Sequence, residues 1–205
     1  SGKVAVITGG SRGIGLATGL ALQGAGATVL GTSRTPAAYP GHPFPLMELD
    51  VADPSSVTSF VGAVSARPEV AGNPGAAGID MLINNAGRFS FGGVLATDPG
   101  TYFPAVELSM ATLYGGHVAL ANALFPAVAS RAAATGYGRM LFTTSVAAYA
   151  TGGSEPGTSY YHPYYSGKRS LLAFANCMRG FIDAAGLGVK ISTVNPLAVQ
   201  TDLAK

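Results

Sequence analysis

Charge is scarce in this chain. Its 205 residues include 12 Lys and Arg and 10 Asp and Glu, 11% in all, against 48% hydrophobic residues. Disordered chains show the opposite balance, so the sequence reads as one compact domain over residues 1–205 with a sizeable core. A net charge of +2 offers no electrostatic footprint for nucleic acid or for an acidic partner. The same shortage leaves much uncharged surface, which points to self-association. Cysteine is nearly absent. Cys177 stands alone, which rules out an intrachain disulfide and fits a reducing, cytoplasmic compartment. Within LLAFANCMRG it reads as core packing. No basic n-region followed by an apolar h-region opens the chain, so no signal peptide is expected. His42, His117 and His162 show no ligand spacing among themselves or with Cys177, and no metal is expected.

Charge is missing altogether from Leu108 to Ser130, a run long enough to span a bilayer. Ser109, Thr112, His117, Asn122 and Pro126 interrupt it, so it reads as a helix buried on both sides, as at a subunit interface, rather than as a membrane span.

What is present is a rhythm of short apolar runs and helical stretches. The expected strands are Lys3–Thr8, Thr28–Thr32, Pro45–Asp50, Ile79–Asn84, Arg139–Thr144 and Val189–Asn195. They are almost continuously apolar, as strands covered on both faces should be. The expected helices are Gly13–Gln23, Pro54–Ala66, Pro99–Arg131 and Pro163–Ala185, with Asp53 as N-cap before Pro54. Residues 67–78 read as a Pro/Gly loop, and there is no internal repeat. Alternating β and α predicts an α/β fold with a doubly wound parallel sheet and helices on both faces.

The first strand runs into Thr8-Gly9-Gly10-Ser11-Arg12-Gly13-Ile14-Gly15 and then a helix. Unpaired N–H groups and the helix dipole favour a phosphate there, and glycines let backbone approach it. Gly9, Gly13 and Gly15 are spaced G-xxx-G-x-G. This turn resembles that of the short-chain dehydrogenase/reductase family, whose first turn reads T-G-xxx-G-x-G. The resemblance implies a Rossmann-type three-layer fold and a nicotinamide dinucleotide held by this turn, including Ser11, Arg12 and Ile14. About 20 residues on, where a carboxylate would hold the ribose of NAD, stand Ser33 and Arg34. With Arg12 they suit the 2′-phosphate of NADP, because guanidinium forks match phosphate oxygens. The resemblance further implies that Asp50 and Val51 hold the adenine. It also implies that Asn85, Ala86 and Gly87 of the NNAG motif (Asn84–Gly87) line the cofactor. Pro196, Val199 and Thr201 are implied to lie at the nicotinamide. The family's Pro-Gly is here Pro196-Leu197, which stiffens that loop and adds apolar bulk.

The segment SYYHPYYSGK, residues 159–168, sets four tyrosines before a lysine. A free phenol with pKa about 10 is a reluctant proton donor at neutral pH, and a nearby ammonium lowers that pKa. Tyr164 and Lys168 lie one helical turn apart on one face, and Tyr165 is also a neighbour of Lys168. Spacing alone leaves both open. Tyr160 and Tyr161 precede Pro163 and fall in a loop. The family signature Y-xxx-K implies Tyr164. A Y-xxxxxx-K signature of divergent enoyl reductases fits Tyr161–Lys168, but those enzymes depart from the glycine turn kept here. The resemblance implies Ser145 as the hydroxyl that orients the substrate oxygen. It also implies Ser109 at a position where the family has a relay asparagine. The implied activity is NADP(H)-dependent interconversion of an apolar ketone or aldehyde and its alcohol. Alternatives on the same frame are an epimerase, a dehydratase, an enone reductase or a non-catalytic NADP sensor. A homodimer or homotetramer through the long helix and the catalytic helix is implied as well. A substrate lid and a last sheet strand are expected beyond Lys205. His162 is a candidate substrate contact beside the lengthened loop.

Overall fold

The computed structural model describes residues 2–73, 75–89, 99–149, 162–197 and 199. Six strands form one sheet: β1 Val4–Ile7, β2 Thr28–Ser33, β3 Leu46–Glu48, β4 Met81–Asn84, β5 Arg139–Thr143 and β6 Lys190–Val194. Their order is β3-β2-β1-β4-β5-β6 and every pairing is parallel. Each expected strand is found, β2 longer by Ser33 and the others trimmed at one or both ends. β1 is buried at all four positions because both faces are covered. Val6, Leu30 and Leu82 pack on one face with Phe60, Leu120, Leu124 and Leu171. Ala5, Ile7, Val29 and Ile83 pack on the other with Phe44 and Leu16. The fold is a doubly wound parallel sheet between two helical layers.

The helices are α1 Gly13–Gly24, α2 Pro54–Ser65, α3 Pro68–Ala71, α4 Pro99–Met110, α5 Gly116–Thr135 and α6 His162–Ala184. Asp53 caps α2 as expected, its Oδ1 accepting from Ser55 N at 2.9 Å. The 67–78 stretch is not all loop. Pro68 supplies a preformed first helical residue, and Val70 is buried in the core. One helical turn is too short to show a period in sequence.

The long helix is not continuous either. A π turn, Ala111–Gly115, divides α4 from α5, and π turns of this kind collect at functional sites. Just after it, the backbone of Gly116 touches β3's downstream loop: a Cβ there would sit 2.0 Å from the Val51 carbonyl oxygen. By length and apolar composition Tyr102–Thr135 is a helix able to cross a membrane. In the fold its Leu113, Leu120, Leu124 and Val128 are buried in the domain. Cys177 corrects an expectation: it is exposed. Leu171, Ala175 and Ile182 form the buried face of α6. Cys177 is two residues past Ala175, about 200° around the helix.

Candidate active site

The site opens at the C-terminal ends of the strands, where the sheet order reverses between β1 and β4. Thr8 organises the glycine turn. Its hydroxyl accepts from Asn85 N and Ala86 N, both at 2.9 Å. Asn85 Nδ2 donates back to the carbonyls of Thr8 at 3.1 Å and Gly9 at 3.3 Å. Gly9 turns with φ +66°, and a Cβ on Gly15 would lie 2.1 Å from Gly9 O. The Gly9–Gly15 crossing therefore admits only bare backbone. Arg12 precedes α1 in an extended conformation with no side-chain cap, so the first amides of the helix face outward as donors.

One cleft gathers most of the expected residues. Gly9, Ser11, Arg12, Gly13 and Ile14 line one wall, and Ser33, Arg34, Asp50 and Val51 another. Asn85, Ala86 and Gly87 form its floor with Thr143, Ser145, Tyr164 and Lys168, and Pro196, Leu197 and Val199 lie at the rim. Gly15 lies behind the turn. Thr201 falls outside the described residues, as do Tyr160 and Tyr161. Asp50 also serves its own loop, its Oδ1 accepting from Ala52 N at 2.9 Å. The Ser33 hydroxyl accepts from Thr35 N at 3.2 Å.

Ser145 follows β5, while Tyr164 and Lys168 occupy the first turns of α6. The three meet because Lys168 Nζ donates to Thr143 O at 2.7 Å, tying α6 to the end of β5. Gly167 allows this approach: a Cβ on it would lie 2.8 Å from Leu113 Cβ in the π turn. Lys168 is 3% exposed and Tyr164 7%. Burial lowers the Lys168 pKa to about 8. Burial also raises the Tyr164 phenol above its ordinary value, against the opposing hydrogen bond with Ser145. The ammonium lies 5.9 Å from the phenol ring centre. Tyr165, half-buried, is absent from the cleft lining, so geometry favours Tyr164 of the two.

Ser109 does not stand as a free relay hydroxyl. It is fully buried and donates its one proton to Pro163 O at 3.0 Å. Its short side chain reaches only the start of α6. His162 is likewise engaged, its Nε2 lying 2.8 Å from the Tyr102 hydroxyl. This pair joins α4 to α6.

Two aromatic residues at the site escape sequence reasoning. Phe89 stacks on Tyr164 with ring centres 4.6 Å apart, giving the phenol an apolar wall. Tyr39 lines the cleft beside Arg34. It leads a ladder of edge contacts, Tyr39 to His42 at 6.3 Å and His42 to Phe44 at 4.5 Å. Phe44 plugs a slot in which a Cβ on Gly19 or Gly31 would lie 2.4 or 2.6 Å from its ring. The aromatic residues of YPGHPFP were the available signal for this anchored loop.

A family pattern described as short chain dehydrogenase matches residues 3–205. The chain belongs to the short-chain dehydrogenase family. It is 32% identical over 207 residues to the "Probable oxidoreductase EphD" of Mycobacterium tuberculosis, covering 96% of this chain and 31% of that protein. The chain thus spans about a third of that relative's length. It is 26% identical over 210 residues to the 3-oxoacyl-[acyl-carrier-protein] reductase FabG of Vibrio cholerae, covering all of this chain and 76% of FabG. A short chain dehydrogenase from Burkholderia cenocepacia, solved in complex with NADP, superposes with a TM-score of 0.76 at 25% identity, covering 100% of this chain and 77% of that one. Members of this family are oxidoreductases that use a nicotinamide cofactor.

Proposed function

We propose that the protein interconverts a ketone or aldehyde and its alcohol with NADP(H). The observation that carries this is the convergence of Ser145, Tyr164 and Lys168 on one cleft that Arg12 and Arg34 also line. The cleft's residues fit a dinucleotide. The Gly9–Gly15 contact leaves room only for backbone, and the uncapped start of α1 presents donors to a pyrophosphate. Arg12 and Arg34, with no carboxylate at the end of β2, favour a 2′-phosphate. The NADP complex of the Burkholderia relative supports the same preference.

The bound cofactor supplies or accepts the hydride. In reduction, Ser145 donates a hydrogen bond to the carbonyl oxygen, and Tyr164 gives that oxygen its proton as charge develops. The raised phenol pKa of the cleft makes Tyr164 a poor acid until a positive charge offsets burial. Lys168 provides one: at the 5.9 Å separation and an effective dielectric of about 20, it stabilises a phenolate by about 3 kcal/mol, or about two pKa units. Phe89 and Leu197 give the substrate end an apolar character.

We also propose self-association through α4–α5 and α6, where Phe103 and Phe181 are 61% and 69% exposed, and a cytoplasmic location consistent with the single thiol. A panel of ketones and aldehydes assayed with NADPH and NADH tests the activity. Tyr164→Phe is expected to lower kcat by about 100-fold or more with NADPH binding retained. Unchanged reduction would refute the assignment of Tyr164.

A further inference from the structure

Behind Lys168 lie buried polar groups that the reaction above does not use. His117, in the first turn of α5, has no exposed surface. Its Nε2 lies 2.7 Å from the Ala86 carbonyl oxygen. A carbonyl only accepts, so Nε2 carries the proton and Nδ1 presents a lone pair. Nδ1 is buried with no protein partner among the described residues. Burial, and then the Lys168 charge, bring the imidazole pKa down to about 4, so the ring is neutral at physiological pH.

Asn84 ends β4, also with no exposed surface, and neither Nδ2 nor Oδ1 has a protein partner among the described residues. Strand alternation puts Asn84 on the sheet face of Leu82. Leu82 packs with Leu120, Ala121 and Leu124 of α5. Helical spacing sets His117 on that same face of α5, one turn before Leu120 and Ala121. Because α5 connects the parallel strands β4 and β5, it runs back from the C-terminal edge of the sheet. Its first turn is therefore level with the end of β4. Lys168 closes the group. One N–H goes to Thr143 O at 2.7 Å, two remain, and a Cβ on Gly87 would lie 3.7 Å from Nζ. Ser109, whose hydroxyl is held by Pro163 O, supplies nothing here.

Buried polar atoms without a protein partner are almost always satisfied by ordered water, which takes two to four partners. We infer that His117 and Asn84 are positioning residues that hold an ordered water against Lys168 and so continue the proton path beyond the lysine. In reduction Tyr164 loses a proton to the product oxygen. Lys168 returns one toward the phenolate and takes one from this water, which exchanges with solvent. Each step moves one proton and no electrons. Lys168 is the charged group acting on His117, and Tyr164 is the titratable group beside that ammonium, its ring centre 5.9 Å away. This inference rests on the oxidoreductase reading of the cleft.

Two variants test it. His117→Gln keeps a donor for Ala86 O but shifts the acceptor away from the Nδ1 position. Asn84→Leu keeps the shape and removes both polar atoms. The first readout needs no turnover: the phenolate difference spectrum of the NADP+-saturated protein, wild type minus Tyr164→Phe, reports the Tyr164 midpoint. Weaker support of the ammonium raises that midpoint by about one unit in either variant. With NADPH and a carbonyl substrate, kcat falls on the order of tenfold while KM for NADPH stays within about twofold, and the pH profile moves with the phenolate midpoint. Asn84→Leu also lowers Tm, whereas replacing an amide that nothing satisfies would raise it. An unchanged midpoint and pH profile in His117→Gln overturns the inference, as does an Asn84→Leu protein that is more stable and titrates like wild type. Should Asn84→Leu fail to fold, His117→Gln decides alone. A wild type whose phenolate responds to these variants but that reduces no carbonyl overturns the reaction and leaves the positioning role standing.

Discussion

Lys168→Met should make the protein's stability depend on pH in a way that isolates the cost of burying an ammonium. The side chain is 3% exposed, and its pKa is lowered from 10.5 to about 8 by burial. Folding therefore disfavours the charged form by about 3 kcal/mol, at about 1.4 kcal/mol per unit. The sign follows from proton binding. Between pH 8 and 10.5 the unfolded lysine holds its proton and the folded one releases it, so wild-type stability gains as pH rises through this window. Below pH 8 both states are protonated and the full cost applies. Methionine carries no such cost. It does orphan the Thr143 carbonyl, which accepts from Nζ at 2.7 Å, at about 1–3 kcal/mol independent of pH. Near pH 7 the two effects roughly cancel. Urea unfolding of the cofactor-free proteins should thus find them close in stability near pH 7. Wild type should pull ahead by about 3 kcal/mol toward pH 10.5. Curves that stay parallel across that range would refute the argument, because they would mean that Lys168 folds with an ordinary pKa.

Arg131→Met should cost about 3–5 kcal/mol in urea unfolding. It strips Asp80 Oδ1 of Nε at 3.1 Å and Nη2 at 2.9 Å and leaves a carboxylate with no exposed surface. Burial alone would raise the Asp80 pKa, but hydrogen bonds from Asn73, Val4 N and Arg131 and the Arg131 charge hold it below the ordinary value. That contribution is present above the ordinary carboxylate range and is lost as pH falls through it, so acid titration of wild type and variant should converge. Gly19→Ala pushes a Cβ to 2.4 Å from Phe44. It should cost about 1–3 kcal/mol by overpacking and weaken NADPH binding by displacing the loop that carries Tyr39, both readable by thermal shift with and without NADPH. Arg34→Ala should raise the Kd for NADPH on the order of tenfold, the loss of one charge-assisted phosphate contact, and leave NADH nearly unchanged. Equal losses for both cofactors in a fluorescence titration would remove Arg34 from the 2′-phosphate.

The strands were legible because burial on both faces leaves a run of apolar residues with little else to encode. The glycine turn, the NNAG motif and the Tyr164–Lys168 spacing were legible because each depends on residues close in sequence. What stayed hidden depends on contacts between distant segments. Nothing in PEVA announces a helical turn, since its reason is Val70 packing into a core assembled elsewhere. Cys177 sits in an apolar string, yet the face of α6 that meets the sheet is set by Leu171, Ala175 and Ile182. Ser109 occupies the counted relay position, but its hydroxyl meets Pro163 O, a partner 54 residues away. His117 looked featureless because its context comes from Ala86 and Lys168 on two other elements.

The same dependence explains why three glycines matter more to the site than their chemistry suggests. Gly15 rests on the Gly9 carbonyl, Gly116 on the Val51 carbonyl and Gly167 on Leu113. Each marks a crossing between two elements that both feed the cleft: β1 with α1, the loop after β3 with α5, and the π turn with α6. A side chain at any of them would separate the crossing pair, and the groups beyond it would move together. At Gly167 those groups are Tyr164 and Lys168, one turn of α6 that the lysine pins to Thr143 O at 2.7 Å. The π turn has a cause in this geometry. It widens the long helix by one residue's worth of backbone between Ser109, which must meet Pro163 O, and Gly116, which must meet Val51. A regular helix would keep one of those contacts and lose the phase of the other. The wide turn lets both ends dock and places His117 behind Lys168.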